Sequence, residues 1–201
     1  MPFYFNPGQL DQKVDVLEFI NSGIAYGWNP VRTIYASVEQ LTQKNLFSEV
    51  GIGVRSVKFT IRKQNLTLGN AFRWQGDFYF LTQVDEIQRL YYEVTAARIE
   101  PKTCAVTRIT TTKNELKNPV KQKEILLTFP GCLVEKYMGY AQQKPQAVSE
   151  MQYVLVTPKA IDLLLADLVE IDGVTYNVQI AHTLDQYKNE YEIVVKKDVG
   201  A

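Results

Sequence analysis

Few side chains in this chain are of the kinds that do covalent chemistry. His182 is the only histidine. A Ser–His–Asp triad or a histidine-based metal site would have to rest on it alone, and its place just after an apolar strand, in what reads as a turn, gives it a surface or structural role. Cys104 and Cys132 are the only cysteines, 28 positions apart (132 − 104) with no histidine near either, so zinc-ligand spacing is absent. Two cysteines do not make a disulfide framework, and both read as reduced thiols. Asp167, Glu170 and Asp172 form an acidic grouping. On a strand, Glu170 and Asp172 share a face, where they could take a hard cation or form the wet side of an amphipathic hairpin; the alternation around them favours the second. No Gly-x-x-x-x-Gly-Lys loop and no Gly-x-Ser-x-Gly elbow occurs. We therefore assign no catalytic residue, no metal ligand and no cofactor, and the chain does not read as an enzyme.

Charge narrows the partners. Lys and Arg total 22 and Asp and Glu total 22, a formal net charge of zero, which excludes a general polyanion binder. One local exception is the stretch 102–123, where Lys102, Arg108, Lys113, Lys117, Lys121 and Lys123 face a single acid, Glu115. It reads as a solvated polar loop or linker, or, on a sharper reading, as a surface whose Lys113, Lys117, Lys121 and Lys123 face a polyanion. No run of 18 apolar residues is present, so no transmembrane helix is expected. The start Met1-Pro2-Phe3-Tyr4-Phe5-Asn6-Pro7-Gly8 lacks the basic n-region and apolar core of a signal peptide, which leads us to expect synthesis in a cytoplasm.

The elements that would position these residues are strands. Aromatics make up 11% of the chain, with 12 Tyr, and Tyr and Phe favour strands. Val57, Phe59 and Ile61 alternate with Lys58, Thr60 and Arg62, the mark of a strand with one buried face. Phe72-Arg73-Trp74-Gln75 and Phe78-Tyr79-Phe80-Leu81 flank a tight turn at Gly76-Asp77. The same hairpin returns at an offset of 97 (173 − 76): Phe72 maps to Val169, Trp74 to Ile171, Gly76 to Gly173, Tyr79 to Tyr176 and Leu81 to Val178, while Val57 and Phe59 map to Val154 and Val156. One offset holding over the whole unit points to a duplication. At that offset Cys132 falls on Tyr35.

The fold class expected is all-β: two tandem small β-barrel or sandwich domains, residues 1–101 and 102–201, with long loops and at most one short helix each. In the first domain, strands are expected over Lys13–Phe19, Val31–Glu39, Val57–Arg62, the hairpin and Tyr91–Ile99. Gly27 and Trp28 fall in a loop, and a long loop runs Gln40–Arg55. In the second, strands are expected at Glu124–Phe129, Met151–Val156, the repeat hairpin and Tyr187–Lys197. Pro130-Gly131 is read as a turn. A short helix over Thr157–Leu165 is expected, with Thr157 as N-cap and Pro158 as its first residue. Gly76 and Gly173 are assigned structural turn roles.

Taken in order, the first half resembles the phage head–tail joining family, the head closure, stopper or head–tail adaptor proteins of tailed-phage necks. The motifs that carry the resemblance are Leu10 to Val16, Gly27-Trp28, Tyr35-Ala36, the variable stretch Gln40–Arg55, Phe59-Thr60-Ile61-Arg62, and Trp74-Gln75-Gly76-Asp77-Phe78-Tyr79. Two positions depart from the family pattern: Gln12-Lys13 stands where an Arg is usual, and Tyr35-Ala36 where Trp-Ala is usual. The resemblance implies a homo-oligomeric ring at the head–tail interface of the virion. Portal or adaptor protein would lie on one side and tail terminator or other tail proteins on the other, with non-specific contact to packaged DNA and no membrane. It also implies that the long loop projects toward the DNA channel, which makes Gln40, Gln43, Lys44, Asn45, Phe47, Gly51 and Gly53 channel-loop candidates. A second class stays open: a tandem β module of a tail or baseplate that binds a ligand or carbohydrate by stacking on Trp28, Tyr91, Tyr92 and Tyr140.

Overall fold

The computed structural model describes residues 7–41, 55–113, 119–135 and 152–196. Within them one 3-10 turn, Pro7–Gln9, precedes twelve strands. These are β1 (Gln12–Ser22), β2 (Ala25–Gln40), β3 (Ser56–Arg62), β4 (Ala71–Trp74), β5 (Asp77–Ile87), β6 (Tyr91–Ile99), β7 (Lys102–Lys113), β8 (Pro119–Glu135), β9 (Gln152–Pro158), β10 (Leu168–Ile171), β11 (Val174–His182) and β12 (Lys188–Val195). The chain is all-β. The described residues divide into two compact units, one of residues 7–20, 28–41 and 55–100, the other of 21–27, 101–113, 119–135 and 152–196.

In unit 1 the ladder order is β1-β4-β5-β6-β3-β2, and β2 returns to β1, so six strands close into a ring. Closure joins the outermost strands to each other, while β3 covers β2 only over Ala36–Gln40. Its core is Val14, Val16, Ile34, Ala36, Phe59, Ile61, Phe72, Tyr79, Leu81, Val94 and Ala96. Phe59 is fully buried, and its ring meets Phe72, Tyr79 and Trp74 edge-on at 5.3, 5.4 and 5.9 Å. Burying a Phe contributes about 1.5–3 kcal/mol, and each edge-to-face pair adds roughly 0.5–1.5 kcal/mol. Trp28 lies on β2, with its ring 4.9 Å from Phe19 and 5.8 Å from Phe80. The expected Gly27–Trp28 loop is therefore strand: an aromatic that can pack on two others keeps the chain extended past Gly27.

Unit 2 runs β8-β7-β10-β11-β12-β9 and closes β9 onto β8, the same order strand for strand. Its core includes Cys104, Val106, Phe129, Leu155, Ile161, Leu163, Val169, Ile171, Tyr191 and Ile193. The offset of 97 reappears in detail. Phe72 faces Tyr79 as Val169 faces Tyr176. Gln75-Gly76 and Asp172-Gly173 are two-residue turns with positive φ at both positions (53° and 88°; 51° and 79°), the type I′ geometry of tight hairpins; Asp77 already belongs to β5. The ladder slips between Leu81 and Gln83 in one unit and between Val178 and Ile180 in the other. Before each hairpin, an acid or amide closes the same small turn: Asn70 Oδ1 accepts from Thr67 N–H at 2.9 Å, and Asp167 Oδ2 from Leu164 N–H at 2.8 Å.

Several expectations are corrected. The segment Thr157–Leu165 is not a helix. Thr157 and Pro158 stay in β9 opposite Asn189 and Lys188. Beyond them, buried Ile161 and Leu163 need partners for their backbone, and β12 side chains supply these: Tyr191 Oη donates to Ile161 O at 2.9 Å and accepts from Leu163 N–H at 3.1 Å, while Asn189 Nδ2 donates to Ile161 O at 2.8 Å. The polar stretch 102–123 is not a linker, because β7 and the first part of β8 pair through it from Lys102↔Gly131 to Lys113↔Pro119, as its β-branched threonines favour. Pro130-Gly131 is not a turn but lies within β8. A Cβ on Gly131 would come within 2.8 Å of Leu155 Cδ1 and 3.0 Å of Cys104 Sγ, so packing demands the glycine. Cys132 does not correspond to Tyr35. It faces Val156 as Val38 faces Phe59, and it is buried where Tyr35 is exposed.

Candidate functional site

The residues with chemical potential are dispersed. His182 is the last residue of β11, not part of a turn, and its Nε2 lies 3.1 Å from Glu192 Oε1. Cys104 and Cys132 are buried free thiols. Burial pushes the Cys104 thiol up to about 12, the opposite of an activated nucleophile. The three acids do not converge. Asp167, buried, takes a two-point contact from Arg108 at 2.7 Å on each oxygen; Asp172 pairs with Lys102; Glu170 is exposed on β10. These are ion pairs that stitch β7 to β10 and its turn.

The surface that stands out is the wall of unit 1 along β2 and its neighbours. Tyr35, on β2, is 54% exposed and borders two clefts. One, of about 400 Å³, is lined by Leu10, Ile34, Tyr35, Arg62 and Gln64. It opens where β2 and β3 splay apart: their ladder begins at Ala36↔Ile61, and just before it Arg32 reaches across to Gln64 Oε1 at 3.0 Å and to Asn65 O. The other, of about 510 Å³, is lined by Lys13, Asp15, Thr33, Tyr35, Arg73, Gln75 and Gly76. There Asp15 accepts from Thr33 Oγ1 at 2.7 Å and from Arg73 Nη2 at 2.9 Å, and the Arg73 contact, ahead of the Thr33 one, holds the Asp15 carboxyl below the usual aspartate range.

A third cleft, of about 370 Å³, lies at the foot of the 42–54 segment. Gln40 faces Val57, Leu41 N–H donates to Ser56 O at 3.0 Å and Arg98 N–H to Arg55 O at 3.0 Å, so the two ends of that segment are pinned side by side. Arg98 pairs with Asp77 at 2.8 Å beside Trp74 and Tyr79, and burial raises the Tyr79 phenol. The Ser56 hydroxyl is buried with no hydrogen-bond partner among the described residues.

Of the channel-loop candidates, Gln40 is the exposed end of β2; Gln43, Lys44, Asn45, Phe47, Gly51 and Gly53 lie outside the described residues. Lys113, Lys121 and Lys123 fall on the β7–β8 ladder, opposite Pro119, Thr111 and Ile109, and Lys117 lies outside the described residues. Gly76 and Gly173 hold the turns assigned to them. The stacking set is not a platform: Tyr91 is buried, Trp28 is packed between Phe19 and Phe80, Tyr92 is half-buried under Lys63 Nζ, and Tyr140 lies outside the described residues. Sequence reasoning missed the Tyr35 clefts. The available signal was Tyr35 itself, an aromatic out of phase with core positions Ile34 and Ala36. Comparison with protein-family models, with curated proteins and with solved structures found no match.

Proposed function

We propose that this chain is a structural protein of a tailed-phage neck. It forms a homo-oligomeric ring under the portal or adaptor, closes the DNA channel and joins head to tail. The observation that supports the reading most is that most of the family-like motifs fall on one closed six-strand unit, Gly27 belonging to the other. Leu10 to Val16 leads into β1, Trp28 and Tyr35-Ala36 lie on β2, Phe59 to Arg62 on β3, and Trp74 to Tyr79 forms the β4–β5 hairpin. The segment that would project toward the channel leaves and re-enters this unit at neighbouring points, Leu41 and Ser56. The ends of such a segment stay anchored whatever its middle contacts. Lys113, Lys121 and Lys123, which the β7–β8 ladder carries, are the candidates for contact with phosphate, which would position without reading sequence.

The test is negative-stain microscopy of the purified protein, alone and mixed with virions stripped of their tails. Rings, or added density at the portal vertex, are expected. A persistent monomer that leaves the vertex unchanged would overturn the reading.

A further inference from the structure

Unit 2 holds a short added strand. Ala25 pairs in parallel with Thr128, and Thr128 N–H donates to Ile24 O at 2.8 Å. Thr128 lies on the part of β8 that precedes the β8–β9 ladder, which starts at Cys132, so this stretch of β8 has an edge open to another strand. Unit 1 has the same edge. Since Val38 stands to β3 as Cys132 stands to β9 (132 − 38 = 94), Thr128 corresponds to Ile34 (128 − 34 = 94). Among the described residues no added strand lies at Ile34. In its place is the 400 Å³ cleft of Leu10, Ile34, Tyr35, Arg62 and Gln64.

A fitting strand exists in the same chain. The β7–β8 hairpin occupies the place in unit 2 that the β1–β2 hairpin has in unit 1. β10 covers β7 only over Cys104–Thr107. From Arg108↔Glu124 to Lys113↔Pro119, β7 and β8 pair only with each other among the described residues. The count of 94 carries Ala25 to Pro119, the first residue of β8. The bond that holds the added strand is accepted by Ile24 O and not by Ala25, so the place of Ala25 asks for no N–H and tolerates a proline, which has none.

We propose that the outer half of the β7–β8 hairpin of one copy adds its β8 edge, from Pro119, to β2 of a second copy in the Ile34–Tyr35 cleft, repeating between copies the pairing of Ala25 with Thr128. The mode is strand addition to a sheet edge. Because the donated strand and the receiving cleft are different surfaces, the contact is head-to-tail, and it makes a ring where the rotation closes. The inference deepens the neck-ring reading and rests on it for the closed assembly, though not for the pairing itself.

Two experiments on the full chain test it. In the first, Tyr35→Cys and Val120→Cys single variants are mixed and oxidised. A cross-linked dimer is expected from the mixture and a ladder of multimers from the double variant, while each single variant alone gives no cross-link; the native cysteines are buried. A mixture that cross-links no more than Val120→Cys mixed with Leu184→Cys overturns the inference, as does Tyr35→Cys that links only to a portal or adaptor protein. In the second, residues 110–122 are replaced by Asn-Gly, and the variant is checked for a native circular dichroism spectrum and thermal transition before microscopy on tail-less virions. Loss of rings is expected. Rings as abundant as those of the parent overturn the strand addition and leave the neck reading standing. Cross-links without rings in the parent support the pairing and sink the neck reading instead.

Discussion

An amide and a carboxylate in equivalent places show how residue chemistry is set. Asn70 and Asp167 close the same turn, but Asp167 is buried and faced by Arg108, while Asn70 donates to Leu17 O at 3.3 Å. Asp167→Asn keeps the acceptor for Leu164 N–H and loses the charge pair, so a cost of about 1–2 kcal/mol is expected, against about 2–4 kcal/mol for Asp167→Ala, which abandons both. Urea unfolding of the two variants reads the difference. Asp15 gives a pH signature. Its folded-state carboxyl lies below the ordinary value of 3.8 because Arg73 and Thr33 hold the anion, so its contribution is present above that value and fades as pH falls through the lower folded one. The melting-temperature gap between the parent and Asp15→Asn, worth about 0.5–1 kcal/mol at neutral pH for so accessible a pair, should close in strong acid. Cys104, with its thiol pushed up to about 12, should resist alkylation at pH 8 until denaturant is added.

At the scale of elements, the hairpins were legible and the connections were not. Gly76 and Gly173 announce tight hairpin turns because the primed geometries join twisted strands in two residues, and few residues other than Gly tolerate the φ they require. The alternation of Val57, Phe59 and Ile61 likewise marks β3 without help from its neighbours. Thr157-Pro158 carried an equally clear local signal for a helix start, and it misled. The competing factor was Tyr191 and Asn189, about 30 residues away, whose side chains satisfy the backbone of Ile161 and Leu163. Pro130-Gly131 misled for a related reason: its glycine answers to Leu155 and Cys104 across the core, and nothing local says so. Gly131→Ala should therefore cost about 1–3 kcal/mol by overpacking, visible as a lowered thermal midpoint, whereas Gly27→Ala, with open space around it, should cost less. Tyr35, out of phase with Ile34 and Ala36, was the one local sign of its clefts, whose walls form where β2 leaves β3 and loop residue Gln64 returns against Arg32.

Across the whole molecule, both tryptophans, Trp28 and Trp74, fall in unit 1, and so does the aromatic cluster on Phe59. Tryptophan fluorescence thus watches one core and far-ultraviolet circular dichroism watches both. If each ring of strands is its own cooperative unit, Gly131→Ala will shift the dichroism transition in urea and leave the tryptophan transition in place. Coincident shifts would mean that one transition governs the chain.

The ring closures also set a timetable. β1 is complete early, yet its ladder partner β4 lies far downstream, Val16 pairing with Phe72. At the roughly 5–20 residues per second of synthesis, newborn β1 waits about 3–11 s for the strand that covers it. The second ring repeats the wait with Val106 and Val169. Two small closures in series keep each interval this short. Twelve strands closed into one ring would leave the first exposed until the last emerged, with that much longer for neighbouring nascent chains to pair with it.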